Sequence, residues 1–165
     1  MKTHAALCVL SLVAACQAPP PPEMTEAETA QIEAEVMQLA DEYINAWKDM
    51  DTDCETVEAL LHPDHWVRIP AGEVRDVSEF ADYCARSTAT RAGYSGGWTD
   101  KKVRVISPDA AVFLGTYSPT FSYNNGRPPR HYLNSVQRLL VERTETGWGI
   151  SWMSFSNGPL EDLEG

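Results

Sequence analysis

Three histidines and a nearby aspartate are the side chains of this sequence with the most obvious capacity for acid–base or metal chemistry. His62, Asp64 and His65 lie close together in the chain, and His131 stands alone. Imidazole and carboxylate groups exchange protons near neutral pH and ligate metal ions. No spaced pair on one element faces one point, so we predict no metal site. We expect His62 and Asp64 to end a helix and His65 to face water. His131 shares strand parity with Gln137 and would face a pocket if no bulge intervenes, or otherwise lie at its rim.

Motifs for nucleophilic or nucleotide chemistry are absent from the sequence. It contains no Ser-His-Asp or Cys-His set and no glycine-rich phosphate loop. Gly96-Gly97 before Trp98 is too short for such a loop and indicates a flexible entry into a strand. We therefore predict no cofactor.

Aromatic side chains are spaced so that several elements could bring them together. A helix would supply two of them and later strands the others, together with three polar residues. Ligand pockets are largely apolar, with a few polar groups that orient the ligand. The alternative is that several of these residues simply fill the core. The predicted ligand-binding residues are Tyr43, Trp47, Trp66, Trp98, His131, Gln137, Trp152 and Ser154.

The first residues are typical of an export segment. Lys2 precedes a short, mostly apolar run that ends Leu-Val-Ala-Ala-Cys16, which resembles the lipoprotein box of bacteria. The resemblance implies removal of residues 1–15 and lipidation of Cys16; the alternative is an ordinary signal peptide with a chance cysteine. Residues 16–24 form a proline-rich tether, which favours an extended stalk. We expect a lipid-anchored domain on the periplasmic face of the cell envelope, and Gln17 after the cysteine favours the outer membrane.

The length and the net charge of the chain limit its number of domains and its classes of binding partner. The chain has 165 residues and a formal net charge of −11. Loss of Lys2 with the leader would leave −11 − 1 = −12. Such acidity argues against nucleic acid and against adsorption to anionic lipid, and it favours neutral or cationic ligands. We predict one domain at 25–157 and an acidic, loose tail at 158–165.

Two cysteines remain once Cys8 leaves with the leader and Cys16 takes lipid. Cys54 and Cys84 would lie on two different short helices. In an oxidising compartment a single remaining pair indicates a disulfide, and the alternative is two buried thiols.

Apolar periodicity predicts an α+β fold. A helix is expected at about 25–48 and a short helix from 52 to 61, each opened by a capping box, Thr25 with Glu28 and Thr52 with Glu55. A strand is expected at 66–69. A third helix follows at about 77–88, and strands occupy most of 94–156, with Pro119 bending the longest. The last two strands form a hairpin across the turn 144–147. This order indicates helices packed on one side of a curved antiparallel sheet.

The ordered motifs resemble the nuclear transport factor 2-like superfamily in its SnoaL-like branch. They are the helix ending at 43–51, the "LxHPD" at 60–64, the "PxG" at 70–72 and the closing "RxxxGWxI" at 143–150, preceded by Leu140 where valine is usual. The resemblance implies a cone-shaped sheet wrapped around the first helix and enclosing a pocket. It also implies, as many members do, a homodimer through the outer sheet face. Apolar side chains on both faces of the hairpin independently favour a partner there.

The same resemblance argues against the best-known chemistry of the superfamily. The carboxylates of ketosteroid isomerases fall at Ile69 and Leu139, and two histidines common in the branch fall at Trp152 and Ser154. Aliphatic side chains cannot shuttle a proton. We therefore expect a non-catalytic domain that binds a small, mostly apolar ligand. One alternative is a lyase- or isomerase-type enzyme using Tyr43 and His131. The other is a dimeric interaction module whose cone is filled.

Overall fold

A computed structural model describes residues 24–48, 54–69, 72–74 and 76–161, and within these the side chains at 65–69, 72–74, 77 and 78 are not described. Three helices are present in this part: α1 Glu26–Lys48, α2 Cys54–Glu58 and α3 Val77–Thr88. The strands are β1 Leu61–Ile69, β2 Gly72–Val74, β3 Arg91–Ser95, β4 Trp98–Ser107, β5 Ala110–Tyr117, β6 Thr120–Tyr123, β7 Arg130–Tyr132, β8 Ser135–Arg143, β9 Trp148–Ser156 and β10 Leu160–Glu161. The predicted leader, Cys16 and the tether up to residue 23 lie outside the described residues.

Local side-chain hydrogen bonds define the helix starts. Thr25 and Glu28 form the predicted capping box, in which the Glu28 amide donates to Thr25 Oγ1 at 3.2 Å and the Thr25 amide to Glu28 Oε2 at 2.8 Å. Asp76 caps α3 by accepting from the Glu79 amide at 2.9 Å. The predicted cap of α2 at Thr52 lies outside the described residues.

The short second helix ends earlier than the sequence predicts. It stops at Glu58, and Leu61 already begins β1. His62 and Asp64 therefore both lie in a strand, and the prediction that they end a helix is wrong. Because β1 pairs in parallel with β9, the apolar Leu61 is needed opposite Ile150 in the sheet, which outweighs weak helical propensity.

The described part of the chain forms two sheets where one was predicted. The larger has the strand order β2-β1-β9-β8-β5-β4, and it is antiparallel except for the β1–β9 pair. The smaller has the order β10-β7-β6-β3. The long run at 110–123 is divided at the buried Pro119, because proline cannot donate to a ladder, and its halves enter different sheets.

The end of the chain contributes to the smaller sheet. Leu160 and Glu161 pair with Tyr132 and His131 of β7. Within the predicted loose tail these two residues thus form a strand, so ordered structure continues beyond the predicted boundary at 157.

The core lies between α1 and the larger sheet. Ile32, Val36 and Leu39 of α1 meet Leu139, Val141 and Ile150 of the hairpin, and every one of these is buried. Full burial of such a side chain contributes roughly 1.5–3 kcal/mol. The packing of a long helix into the curved sheet confirms the predicted α+β class.

The cysteine prediction is confirmed. Cys54 of α2 and Cys84 of α3 form a disulfide with a Cα–Cα distance of 5.9 Å. It ties together the two short helices at one side of the core. Among the helices described here, none is long and apolar enough to cross a membrane.

A bulge in β9 determines which face of the sheet the side chains after Ser151 occupy. Val141 pairs with Ile150 and Leu140 with Trp152, so Ser151 is an extra residue without a partner position on β8. A bulge of this kind moves the following side chains to the opposite face. Ile150 and Met153 therefore both point to the core, and both are buried.

Candidate functional site

A cavity of about 350 Å³ opens at one end of the core. Its walls come from the last turns of α1, from α3, from the smaller sheet and from the ends of β5, β8 and β9. The described lining residues are mostly aromatic: Tyr43, Ile44, Trp47, Phe80, Tyr83, Ser87, Thr90, Arg91, Tyr94, Trp98, Tyr117, Phe121, Tyr123, Tyr132, Gln137, Met153, Phe155 and Asn157. The cone is thus not filled, which contradicts the alternative of an interaction module with a solid interior.

Four of the predicted pocket residues lie in this wall: Tyr43, Trp47, Trp98 and Gln137. Trp47 meets Tyr43 edge to face, with ring centroids 6.3 Å apart. Trp98 Nε1 donates to the Ala40 carbonyl at 3.2 Å, which fixes the indole against α1. That these residues bind a ligand stays a prediction.

Trp98 occupies space that a glycine leaves open. Gly115 lies opposite Gln137 in the β5–β8 ladder. A Cβ on Gly115 would come within 2.6 Å of the Trp98 ring and 2.7 Å of Phe113. Gly115 is therefore required for the close packing of the Trp98 and Phe113 rings, whose centroids are 5.0 Å apart.

Trp152 and Ser154 do not line the cavity, so their assignment to the inner face is wrong. The bulge at Ser151 places Met153 and Phe155 in the wall instead. Strict alternation from Trp148 predicts the opposite, and a bulge leaves little trace in a single sequence. Trp66 lies on β1, but its side chain is among those not described.

His131 also lies outside the cavity wall, and its neighbour Tyr132 is present there. His131 Nδ1 is 2.7 Å from Thr120 Oγ1, and its Nε2 is 3.7 Å from Glu161. Asn134, with a φ of 52°, separates β7 from β8, so parity cannot be counted from Gln137 back to His131. Tyr43 and His131 therefore do not share a cavity, and the enzyme alternative built on that pair is contradicted.

The remaining polar candidates have structural positions. His62 Nδ1 accepts from the Asp64 amide at 3.1 Å, and neither residue lines the cavity. Leu139 stands at a position where, by the sequence resemblance, ketosteroid isomerases carry a carboxylate. It is buried in the core. Throughout the described part of the chain, no three His, Cys, Asp or Glu side chains form a group able to hold a metal ion.

Sequence reasoning missed the contribution of α3 and the smaller sheet. Phe80 and Tyr83 reach the cavity from α3, and Tyr94 and Phe121 reach it from β3 and β6. Their rings contact one another, with the Tyr94 and Phe121 centroids 5.2 Å apart. The alternation of aromatic residues at Phe121 and Tyr123 is the signal that could have indicated an aromatic face.

Arg91 is the one cationic side chain among the described lining residues. Its guanidinium lies 5.4 Å from the Trp47 ring centroid and 5.0 Å from that of Phe121. One nitrogen donates to Ser87 Oγ at 2.6 Å. No carboxylate among the described side chains forms an ion pair with it. The aromatic contacts hold the cation by cation–π attraction, and its charge is left without a compensating anion there.

Gln137 carries a buried polar atom with no partner. Its side chain is only 5% exposed, and its Nε2 makes no hydrogen bond. A buried unsatisfied group of this kind costs about 1–3 kcal/mol. An acceptor atom placed in the cavity would satisfy it.

Three tyrosines of the wall, Tyr43, Tyr94 and Tyr117, are held neutral by burial. Burial raises the pKa of Tyr43 and of Tyr94 well above the ordinary value of 10.0, and it raises the pKa of Tyr117 to about 12. Desolvation disfavours the phenolate, so all three hydroxyls stay protonated at neutral pH. Tyr43 donates to Met153 Sδ at 3.3 Å, a weak acceptor.

Comparisons with known proteins place the fold. No family model and no curated protein matches the sequence. A proposed scytalone dehydratase from Novosphingobium aromaticivorans has a similar structure at 13% identity, with a TM-score of 0.73, and the match covers 86% of this chain and 93% of that one. A hexachlorocyclohexane dehydrochlorinase from Novosphingobium barchaimii is 13% identical, with a TM-score of 0.71, over 86% and 96%.

A third similar structure is named after the superfamily that has this fold. It is a nuclear transport factor 2-like superfamily protein from Salmonella enterica serovar Typhimurium, 19% identical, with a TM-score of 0.69, over 83% of this chain and 99% of that one. The chain therefore has the nuclear transport factor 2-like fold, to which its sequence motifs point. At these identities the likeness extends to the fold alone.

Proposed function

We propose that this domain binds a small, mostly apolar aromatic molecule in its cavity and catalyses no reaction on it. The observation that carries the proposal is the open, aromatic-walled space of about 350 Å³. Ligand sites range over roughly 300–1,000 Å³, so this one suits a compact ligand of about one or two rings.

The chemistry of the wall supports binding rather than catalysis. Two of the similar structures are named for eliminations, a dehydratase and a dehydrochlorinase. An elimination needs a base to take a proton. The described lining residues include no carboxylate, histidine or lysine, and the buried tyrosines are protonated at neutral pH. The polar groups of the wall can orient a ligand by hydrogen bonds.

Tryptophan fluorescence tests this proposal directly. Trp47 and Trp98 lie in the wall, so titration with a panel of one- and two-ring aromatic compounds should change the emission saturably. A Ser87→Phe variant, which adds a ring to the wall, should abolish the response. Ser95→Phe, at an exposed position of β3, is the matched control and should bind like the unaltered protein. The absence of any response across the panel, or unchanged binding by Ser87→Phe, would refute the proposal.

The cellular location is part of the proposal. The leader ending at Cys16 supports a lipid anchor on the periplasmic side, and the Cys54–Cys84 disulfide is compatible with an oxidising compartment. Expression of the full chain in bacteria with an alkyne-labelled fatty acid should label the protein. Cys16→Ser should remove the label, whereas persistence of the label in that variant would contradict the anchor.

We also propose a homodimer through the outer face of the larger sheet. Val112, Leu140 and Trp152 are aligned across three strands, and Leu114 is 39% exposed beside them. An apolar stripe on a two-sided sheet favours a covering partner. Sedimentation should give a dimer mass, and Leu114→Arg should give a monomer. Leu160→Arg, at an exposed residue of the smaller sheet, should remain dimeric.

A further inference from the structure

We infer that the ligand is an aromatic monoanion, with a carboxylate that pairs with Arg91 and an acceptor oxygen that takes the Gln137 amide. This inference rests on the proposed function, because it names the class of molecule that the cavity takes. It reverses the expectation from net charge, since an acidic chain by itself favours neutral or cationic ligands.

The first argument is the uncompensated charge of Arg91. The guanidinium is half-buried, contacts the rings of Trp47 and Phe121, and gives one hydrogen bond to the uncharged Ser87. Buried charges are ordinarily paired. A guanidinium has five donors in a planar fork that matches a carboxylate in two parallel hydrogen bonds. Its Cζ lies 5.4 Å and 5.0 Å from the two ring centroids, and neither ring carries a lone-pair acceptor for the remaining N–H groups.

The second argument is the excess of donors in the wall. Gln137 Nε2 is buried without an acceptor, and the hydroxyls of Tyr94 and Tyr117 are protonated. Tyr117 lies in β5 beside the segment of β8 that carries Gln137, and both residues line the same cavity as Arg91. These donors therefore belong to one polar region. Among the described lining residues no carboxylate supplies an acceptor, so an acceptor-bearing ligand is the complement.

The third argument concerns the number of charges. The described lining residues offer a single guanidinium, and their other polar groups are neutral hydroxyls and amides. A dianion such as a phosphate monoester would keep one charge unpaired in an apolar site, which is costly. The long-range field of a chain with a net charge of −11 opposes anions, so the preference must arise from the local pairing with Arg91.

Paired probes of nearly equal shape test the inference. Titration calorimetry at pH 7 would compare 2-naphthoate with its neutral analogue 2-naphthamide. We expect the carboxylate to bind about tenfold or more tightly, because a charge-assisted pair exceeds a neutral hydrogen bond. Arg91→Met should abolish that preference, because it should weaken naphthoate far more than naphthamide. Arg127→Met, which removes an exposed arginine outside the wall, is the matched control and should retain it.

A second variant keeps the test decisive if Arg91→Met does not fold. Gln137→Glu has almost the same shape but places a negative charge at the donor position. It should weaken naphthoate by about tenfold or more and affect naphthamide less. Circular dichroism would verify the fold of each variant.

The outcomes separate the two proposals. Equal affinity of the two probes for the unaltered protein would overturn the inference and leave the proposed function intact. Preservation of the naphthoate preference in Arg91→Met would also overturn it. Failure of both probes and of the whole aromatic panel would remove the proposed function itself.

Discussion

The two ends of the β8–β9 hairpin differ in what covers their inner face: one end packs into the closed core, and the other end borders the cavity. At the end near the turn, Val141 and Ile150 are completely buried against Ile32 and Val36 of α1. At the other end, Gln137 and Phe155 face the cavity, opposite the last turns of α1. One helix and one hairpin thus form a closed core at one end and an open site at the other.

Polar groups follow the same division. At the closed end, Glu35 accepts from Trp148 Nε1 at 2.6 Å and lies 3.1 Å from Arg143, which in turn stacks on Trp148 at 4.2 Å. At the open end, Gln137 Nε2 has no partner. Satisfied polar groups stabilise the fold, and unsatisfied ones indicate where a ligand completes the structure.

Truncation of a ring should show the largest difference between the two regions. Phe113, fully buried in the core, should lose about 3–5 kcal/mol of unfolding free energy on change to Ala, through lost burial and a new cavity. Phe155→Ala should lose only about 1–2 kcal/mol, since the ring is half-buried at an existing cavity. Urea unfolding at one protein concentration measures both. Equal losses would contradict the division into closed and open ends.

The disulfide should have the next largest effect. Replacement of Cys54 and Cys84 by Ser should lower the unfolding free energy by about 3–4 kcal/mol, because the bond closes a loop with a sequence separation of 30. Since α3 carries Phe80 and Tyr83 of the wall, ligand affinity should fall as well. Thermal unfolding with and without reductant gives the comparison. An unaltered midpoint would show that packing alone holds the two helices.

Polar substitutions should have opposite signs at the two ends. Without ligand, Gln137→Leu should raise the unfolding free energy by about 1 kcal/mol, because it removes a buried unsatisfied donor. Trp148→Phe should lower it by a similar amount, since Glu35 loses its shortest hydrogen bond. Urea unfolding of both variants checks the signs. A loss of stability in Gln137→Leu would show that its amide is satisfied in solution.

The smallest effect concerns pH. Hydrogen bonds from Trp148 and Gln31, with the nearby Arg143, hold the pKa of Glu35 below its ordinary value of 4.5. A depressed folded-state pKa gives stability that is present above the unfolded value and is lost as pH falls through the folded one. Glu35→Gln should therefore flatten the decline of stability below about pH 4.5. Unfolding curves between neutral and acidic pH, compared with an exposed Glu145→Gln control, would show it.

Sequence patterns predicted the elements that depend on local chemistry. The capping box at Thr25 and Glu28, the third helix and the Cys54–Cys84 pair were all anticipated, because each is recorded in nearby residues or in a simple count. Four wall residues were also found. Tyr43 and Trp47 follow helical spacing, Gln137 follows strand parity in the well-marked hairpin, and Trp98 stands at a strand entry after Gly96-Gly97. The wrong assignments of pocket residues occur where the alternation of side chains was counted across the bulge in β9 or across the break at Asn134.

By itself, the sequence determined the class of fold, the helix starts and the aromatic character of the site. Only the tertiary structure decided which aromatic residues form the wall. Because of the bulge at Ser151, Met153 and Phe155 line the cavity in place of Trp152 and Ser154. The break at Pro119 places β6 in the second sheet, and that sheet contributes Arg91 and Phe121 to the cavity wall. The physical reason is that periodicity is local, whereas a one-residue shift in register and the pairing of distant strands are decided by packing across the whole core.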